Sequence, residues 1–141
     1  MQLFLMHLAL TAALLGLVWY VQLVQYPLFH LIPAEVFVPY WRRNLWVSTS
    51  LAMPLMILES LTALVLTLQN LSNLRPLWWV LLGLIAVAWA STVFLQLPTY
   101  IGLLKSKDER LIRRLVNTNW VRTGVWTART IILVLYWKSL A

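Results

Sequence analysis

The chain alternates four long apolar runs with short polar stretches, and the runs have the length of helices rather than strands. The first, Leu3 to about Gln25, holds no formal charge and stops where Tyr26-Pro27 biases the backbone away from helix. Residues Leu28 to Asn44 are mixed: Pro33 and Pro39 punctuate them, and Phe37, Tyr40 and Trp41 stand beside Arg42 and Arg43, the pattern of an amphipathic connector at a membrane surface. A second helix is expected over 45–68, kinked at Pro54, followed by a short turn from Gln69 to Arg75. A third is expected over 76–104, bent near Pro98. Lys105 to Arg114 form a charged hinge whose Asp108 and Glu109 suit the start of a fourth helix, over 116–140. Each run reaches the roughly 20 residues that a bilayer-spanning helix needs.

Composition turns this pattern into a choice of solvent. Of 141 residues, 62% are hydrophobic and 11% charged, against roughly 45–50% and 25% in an ordinary soluble domain. So few charges cannot cover a compact body in water, which excludes a soluble monomer, and so many apolar residues exclude disorder. The expected fold is an all-α bundle of four transmembrane helices in a single membrane domain over 1–141 with no extramembrane domain. Cysteine is absent, which removes disulfides, thiolate metal sites and cysteine catalysis. The first run is read as a retained span rather than a cleaved signal peptide: no basic residue precedes it, it is long, and no small-x-small cleavage site follows.

The charges are sorted along the chain. Arg42, Arg43, Lys105, Lys107, Arg110, Arg113 and Arg114 fall in the first and third connections, while only Arg75 and Lys138 fall on the other side. The positive-inside rule puts those two connections in the cytoplasm and both termini outside, with a bacterial inner membrane as the expected location. The net charge of +7 is thereby an orientation signal beside anionic headgroups, and nucleic acid is not an expected partner. Trp41 and Trp46 fall at the inner boundary and Trp78, Trp79 and Trp137 at the outer one, where indole rings collect. Trp19, Trp89 and Trp126 fall at mid-depth, either as packing or as a wall around a bound ring system. Small residues four apart (Ala12 and Gly16, Ala86 and Ala90, Gly124 and Ala128) are expected to let helices approach closely, or to serve a partner protein.

Three ionisable residues remain inside the spans: Glu59, Arg122 and Arg129. Counted from the inner ends of their helices, Glu59 and Arg129 lie about 14 and 13 residues deep, roughly 20 Å in each case. They are expected to pair, with Ser91 and Thr92 at the same level. Nearer the cytoplasm, Asn119, Arg122, Trp126 and Arg129 follow at i, i+3, i+7 and i+10, one stripe of a helix. Gln22, Gln25, Ser48, Ser50 and Gln96 share the depth of Arg122, so a polar cavity open toward the cytoplasm is expected there. Two accounts of the cluster stand side by side: a self-neutralising pair that sets helix register, or a site where an arginine holds an anionic group and Glu59 accepts a proton. His7 and His30 lie toward opposite ends of the first helix and cannot share one metal; His30 is expected at the interface, and His7 is a candidate axial ligand to haem or a chlorophyll-type magnesium.

The strings VQYPLFHLIP, YWRRN and PLMILES between Val24 and Glu59, with WASTVFLQLPTY at Trp89 to Tyr100 and NWVRTGVWTAR ending at Arg129, resemble a family of uncharacterised bacterial four-helix integral membrane proteins. The resemblance implies a four-helix membrane fold and no activity. It also implies histidines near the Tyr-Pro-Leu string, in the connection after it and after the Gln-x-Pro string, where this chain carries Gln25, Trp41 or Asn44, and Tyr100. A metal or haem held through those histidines would have no counterpart here.

No metal motif, nucleotide loop or nucleophile-base-acid set is visible. By subtraction, the leading expectation is an accessory or scaffold subunit of a larger respiratory or photosynthetic membrane complex, packed against other membrane subunits. The alternative is a small membrane enzyme or cofactor-binding protein acting on an amphiphile, a quinone or a lipid, through Glu59, Arg122 and Arg129. A transporter ranks last, since one such chain leaves little room for a pore.

Overall fold

The computed structural model describes residues 1–70 and 76–140, and the described residues are helical apart from short connections, without a strand. Three helices are long and apolar enough to cross a bilayer: α1 (Gln2–Leu31), α2 (Ala34–Gln69) and α3 (Pro76–Leu103). A fourth, α4 (Glu109–Leu140), is as long but more polar, with Arg122 and Arg129 along its middle. The turn expected over Gln69 to Arg75 falls mostly on 71–75, outside the described residues.

The helix boundaries differ from the sequence expectation at the prolines. The connector is not a separate surface segment from Leu28 to Asn44: α1 runs on to Leu31, and α2 starts at Ala34 and continues unbroken through Pro39 and Pro54. Pro33 carries the break, its extended backbone (ψ 145°) standing just before the first residue of α2. Within α1 and α3 the chain meets Pro27 and Pro98 without stopping, by widening the turn before each. Val21–Gln25 and Ser91–Gln96 form π-helical turns, in which Tyr26 N–H reaches Val21 O and Leu97 N–H reaches Thr92 O. The wider turn moves the carbonyl four residues back out of the path of the proline ring. It also shifts register: Ser91 and Gln96, five residues apart, are both buried, a spacing that a regular helix would put on different faces.

The two widened turns share a local sequence. Gln25-Tyr26-Pro27 and Gln96-Leu97-Pro98 are each followed, at the same spacing, by an arginine pair, Arg42-Arg43 and Arg113-Arg114. The first and second halves of the chain thus carry the same device at the same place.

Packing is layered, and each layer takes residues from α1, α2, α3 and α4. Toward the basic end, Tyr26, Phe29, Phe37, Trp41, Leu103, Ile112 and Leu115 pack together. Leu14, Val18, Met56, Ala88, Val125 and Trp126 fill the middle. Phe4, Leu66, Trp78, Leu81 and Leu133 close the opposite end. Trp41 and Trp78 are therefore core residues rather than members of interfacial belts, whereas Trp46 and Trp79 do face outward. Gly102 of α3 lies close against α4, where an added Cβ would stand 2.6 Å from Leu111 Cδ1. The small-residue pairs do not serve such contacts: Ala12, Gly16, Ala86, Ala90 and Gly124 are exposed, and nothing lies within 4 Å of a Cβ placed on Gly16 or Gly124.

Polarity is inverted relative to a water-soluble fold. Leu23, Trp46, Leu61, Phe94 and Leu135 are exposed, while His7, Glu59, Gln96, Asn119 and Arg129 are sealed. Hydroxyls along the helices, among them Thr92, Thr99, Thr127 and Thr130, donate to the carbonyl four residues back and so present no unpaired group outward.

Candidate functional site

Two polar layers lie inside, and they differ in how fully they are satisfied. In the first, Arg129 donates from Nε and Nη2 to Glu59 Oε1 at 3.1 Å, with both side chains buried. Thr11 donates to the same oxygen at 2.9 Å, and Trp126 Nε1 donates to Oε2 at 3.1 Å. The rest of the guanidinium donates to Leu81 O and to His7 Nε2, the latter at 3.1 Å. Because Nε2 accepts, the proton of His7 sits on Nδ1 and points to Thr62 Oγ1 at 2.8 Å; Thr62 in turn donates to Leu58 O. Each nitrogen of the guanidinium and each oxygen of the carboxylate thus has a partner, drawn from residues of all four helices.

The hydroxyls of this layer are Thr11 and Thr62, not Ser91 and Thr92. Ser91 Oγ is buried without a partner and Thr92 bonds its own helix. His7, with both ring nitrogens committed to protein, has none left for a metal. His30 lies on the surface, where its Nδ1 meets Glu109. Among the described residues no group of three His, Cys, Asp or Glu is placed to hold a metal ion.

The second layer is incomplete. Asn119 Nδ2 donates to Gln22 Oε1 at 2.9 Å, Gln22 Nε2 to Val116 O at 3.1 Å, and Gln96 Nε2 to Thr118 Oγ1 at 2.9 Å, so the amides tie α1 and α3 to α4. Yet Asn119 Oδ1, Gln96 Oε1 and Arg122 Nε are buried without a partner. Arg122 is 8% exposed; its guanidinium lies 5.6 Å from the Trp126 ring and reaches Tyr100 Oη at 3.4 Å, and Tyr100 Oη is 2.9 Å from Tyr26 Oη.

Among the described residues no carboxylate pairs with Arg122. Of its four acidic residues, Glu59 belongs to Arg129, Glu109 to Lys107 and His30, Asp108 accepts from the Arg110 and Leu111 amides, and Glu35 is exposed in the first turn of α2.

Arg122 and Asn119 look into a cavity of about 90 Å³ lined also by Gln25, Asn44, Ser48 and Tyr100. Gln22 and Gln96 are not among its walls, and Ser50 lines a neighbouring groove instead. The cavity was expected to open toward the basic end, where Phe29, Phe37 and Trp41 are packed together. It adjoins, sideways, a groove of about 850 Å³ between α2 and α3, walled from Arg42 and Trp46 to Pro54 and Trp89. Leu45, Thr49, Met53, Thr92 and Tyr100 border both spaces. Gln25, Trp41, Asn44 and Tyr100 all line the cavity.

The three mid-depth tryptophans do not form one wall. Trp126 is buried and bridges the two layers through Glu59 and Arg122. Trp89 lines the groove and donates to Ser60 Oγ. Trp19 is directed to α4, donating to Thr127 Oγ1 and meeting the Trp120 ring edge-on.

The polar partners missed in the sequence had a signal. His7 and Thr11, Glu59 and Thr62, Trp126 and Arg129 are polar pairs at i, i+3 or i, i+4 on three separate helices, each marking an inward face. No family model, no curated protein and no solved structure matches this chain.

Proposed function

We propose that this chain is an integral membrane protein with four spans, α4 being the fourth, that holds the polar head of a lipid-soluble amphiphile against Arg122. The polar face of α4 turns inward onto α1, α2 and α3, which removes Arg122 and Arg129 from lipid and makes a fourth span affordable. Arg42, Arg43, Lys105, Lys107, Arg110, Arg113 and Arg114 collect at one end, so that end is cytoplasmic and both termini are outside.

One observation carries the binding reading: Arg122 is a buried cation beside a cavity, with no carboxylate paired to it among the described residues. An isolated buried charge is costly, and a fold whose other buried arginine is fully paired has the means to pair a second. The groove between α2 and α3 supplies a side entrance for the apolar part of such a ligand. Glu59 and Arg129 take the structural part, setting register between helices.

The test is to purify the tagged protein from its native membrane in mild detergent, extract it with organic solvent and identify what is released. An amphiphile present in stoichiometric amount with wild type and lost from Arg122→Gln supports the reading; the same extract from both refutes it. A subunit role in a larger membrane complex is a second reading, favoured by the outward-facing pairs Ala12 and Gly16, Ala86 and Ala90. It predicts stoichiometric protein partners in the same preparation.

A further inference from the structure

Resting on that reading, we infer that the amphiphile is a single-chain carboxylate, a long-chain fatty acid in class, which enters sideways from the cytoplasmic leaflet with its head on Arg122 and its chain in the groove between α2 and α3. Charge, head size and groove length each narrow the class.

The uncompensated group is one guanidinium, so a monoanion neutralises it, whereas a neutral quinone, ester or alcohol leaves it buried and charged. A carboxylate also matches the paired N–H geometry of arginine. The cavity of about 90 Å³ is small beside the roughly 150 Å³ of a cavity that holds a benzene ring, which favours a carboxylate head over a quinone ring or a glycerophosphate. The Ser48 and Tyr100 hydroxyls can donate hydrogen bonds to the carboxylate oxygens from the same walls.

The groove has the dimensions of one leaflet. Arg42 to Pro54 spans about 18 Å of helix, close to half of the roughly 30 Å hydrocarbon core. It starts at the basic end beside Arg42 and Trp46 and stops near Pro54 and Trp89. Two helices wall it: α2 packs on the Pro76–Ala90 part of α3 and meets α3 again at Tyr100, where Trp41 Nε1 donates to Tyr100 O, with the groove between the two contacts. Arg42 stands at the mouth, where it attracts an anionic head before the head passes Thr49 and Tyr100 to reach Arg122.

The experiment measures equilibrium binding of oleic acid, methyl oleate, oleyl alcohol and a decyl-quinone to the full chain in phosphatidylcholine nanodiscs at pH 8. Wild type is expected to bind the acid at least about tenfold more tightly than the other three. Arg122→Gln should lose that preference. Thr49→Trp, an exposed position on α2 at the junction of groove and cavity, should block the acid while leaving helix content and thermal unfolding unchanged. If the quinone, ester or alcohol binds as tightly as the acid and does so through Arg122, the carboxylate assignment falls and the binding site stands. If no probe shows binding that depends on Arg122 or is blocked at Thr49, both fall.

Discussion

Arg122 and Arg129 stand seven residues apart on one face of α4 with opposite fates: Arg129 is locked to Glu59 at 3.1 Å, while Arg122 Nε has no partner. Two turns of helix separate a finished ion pair from an unfinished one, with Trp126 between them, donating to Glu59 and lying under Arg122.

The finished pair should behave as a structural unit. Glu59→Gln alone, or Arg129→Met alone, strands a buried charge or its partners and is expected to cost about 3–5 kcal/mol. The double variant should recover most of that loss. Unfolding of the four proteins in the same detergent gives the coupling directly; additive losses would show that the two residues do not act together.

Arg122 should show the opposite behaviour. With no counter-charge beside it among the described residues, its burial is a cost to the empty protein, so Arg122→Met is expected to stabilise the ligand-free form by about 0.5–2 kcal/mol while abolishing ligand binding. Thermal unfolding after exhaustive delipidation measures it.

The absence of cysteine makes topology easy to read. Ser106 and Ser139 are exposed near opposite ends of the molecule. In intact cells, a membrane-impermeant maleimide should label Ser139→Cys and spare Ser106→Cys until the membrane is opened. Labelling of both or neither from one side would contradict a fourth span.

At the basic end Lys107 binds the carbonyls that close α1, those of His30 and Ile32, both at 2.9 Å, and stands 3.0 Å from Glu109. Lys107 first, and His30 with it, hold the Glu109 carboxyl below the usual carboxylate range. A depressed folded value means that the latch contributes fully above the ordinary value of about 4.3 and is lost as pH falls through the depressed one. An NMR titration should find Glu109 below that ordinary value, and Lys107→Gln should move it back up. High salt should weaken the same effect, since the carboxylate is exposed.

What could be read from the sequence was whatever depends on counting. Apolar run lengths located the helices, and depth along α2 and α4 put Glu59 level with Arg129. What escaped depends on rotation about a helix axis. The π turns before Pro27 and Pro98 change the rotation of the residues within them, and Gln22 and Gln96, which lie inside those turns, became interhelical ties rather than cavity walls. Continuity of α2 from Ala34 put Phe37 and Trp41 in the core, where with Phe29 they pack at the end toward which the cavity was expected to open. His7 looked peripheral because depth was measured from the end of its run, whereas its spacing to Thr11 marks the face turned toward Glu59. The repeated Gln-x-Pro with its arginine pair was legible in both halves and points to the same two turns.

The central claim, that Arg122 is completed by a membrane amphiphile, is tested most directly by native mass spectrometry of the protein released from its own membrane. Wild type should carry one adduct of lipid mass that survives gentle activation, and Arg122→Gln, equally folded, should appear as the bare chain. A bare wild-type protein, or the same adduct on both, would contradict the account.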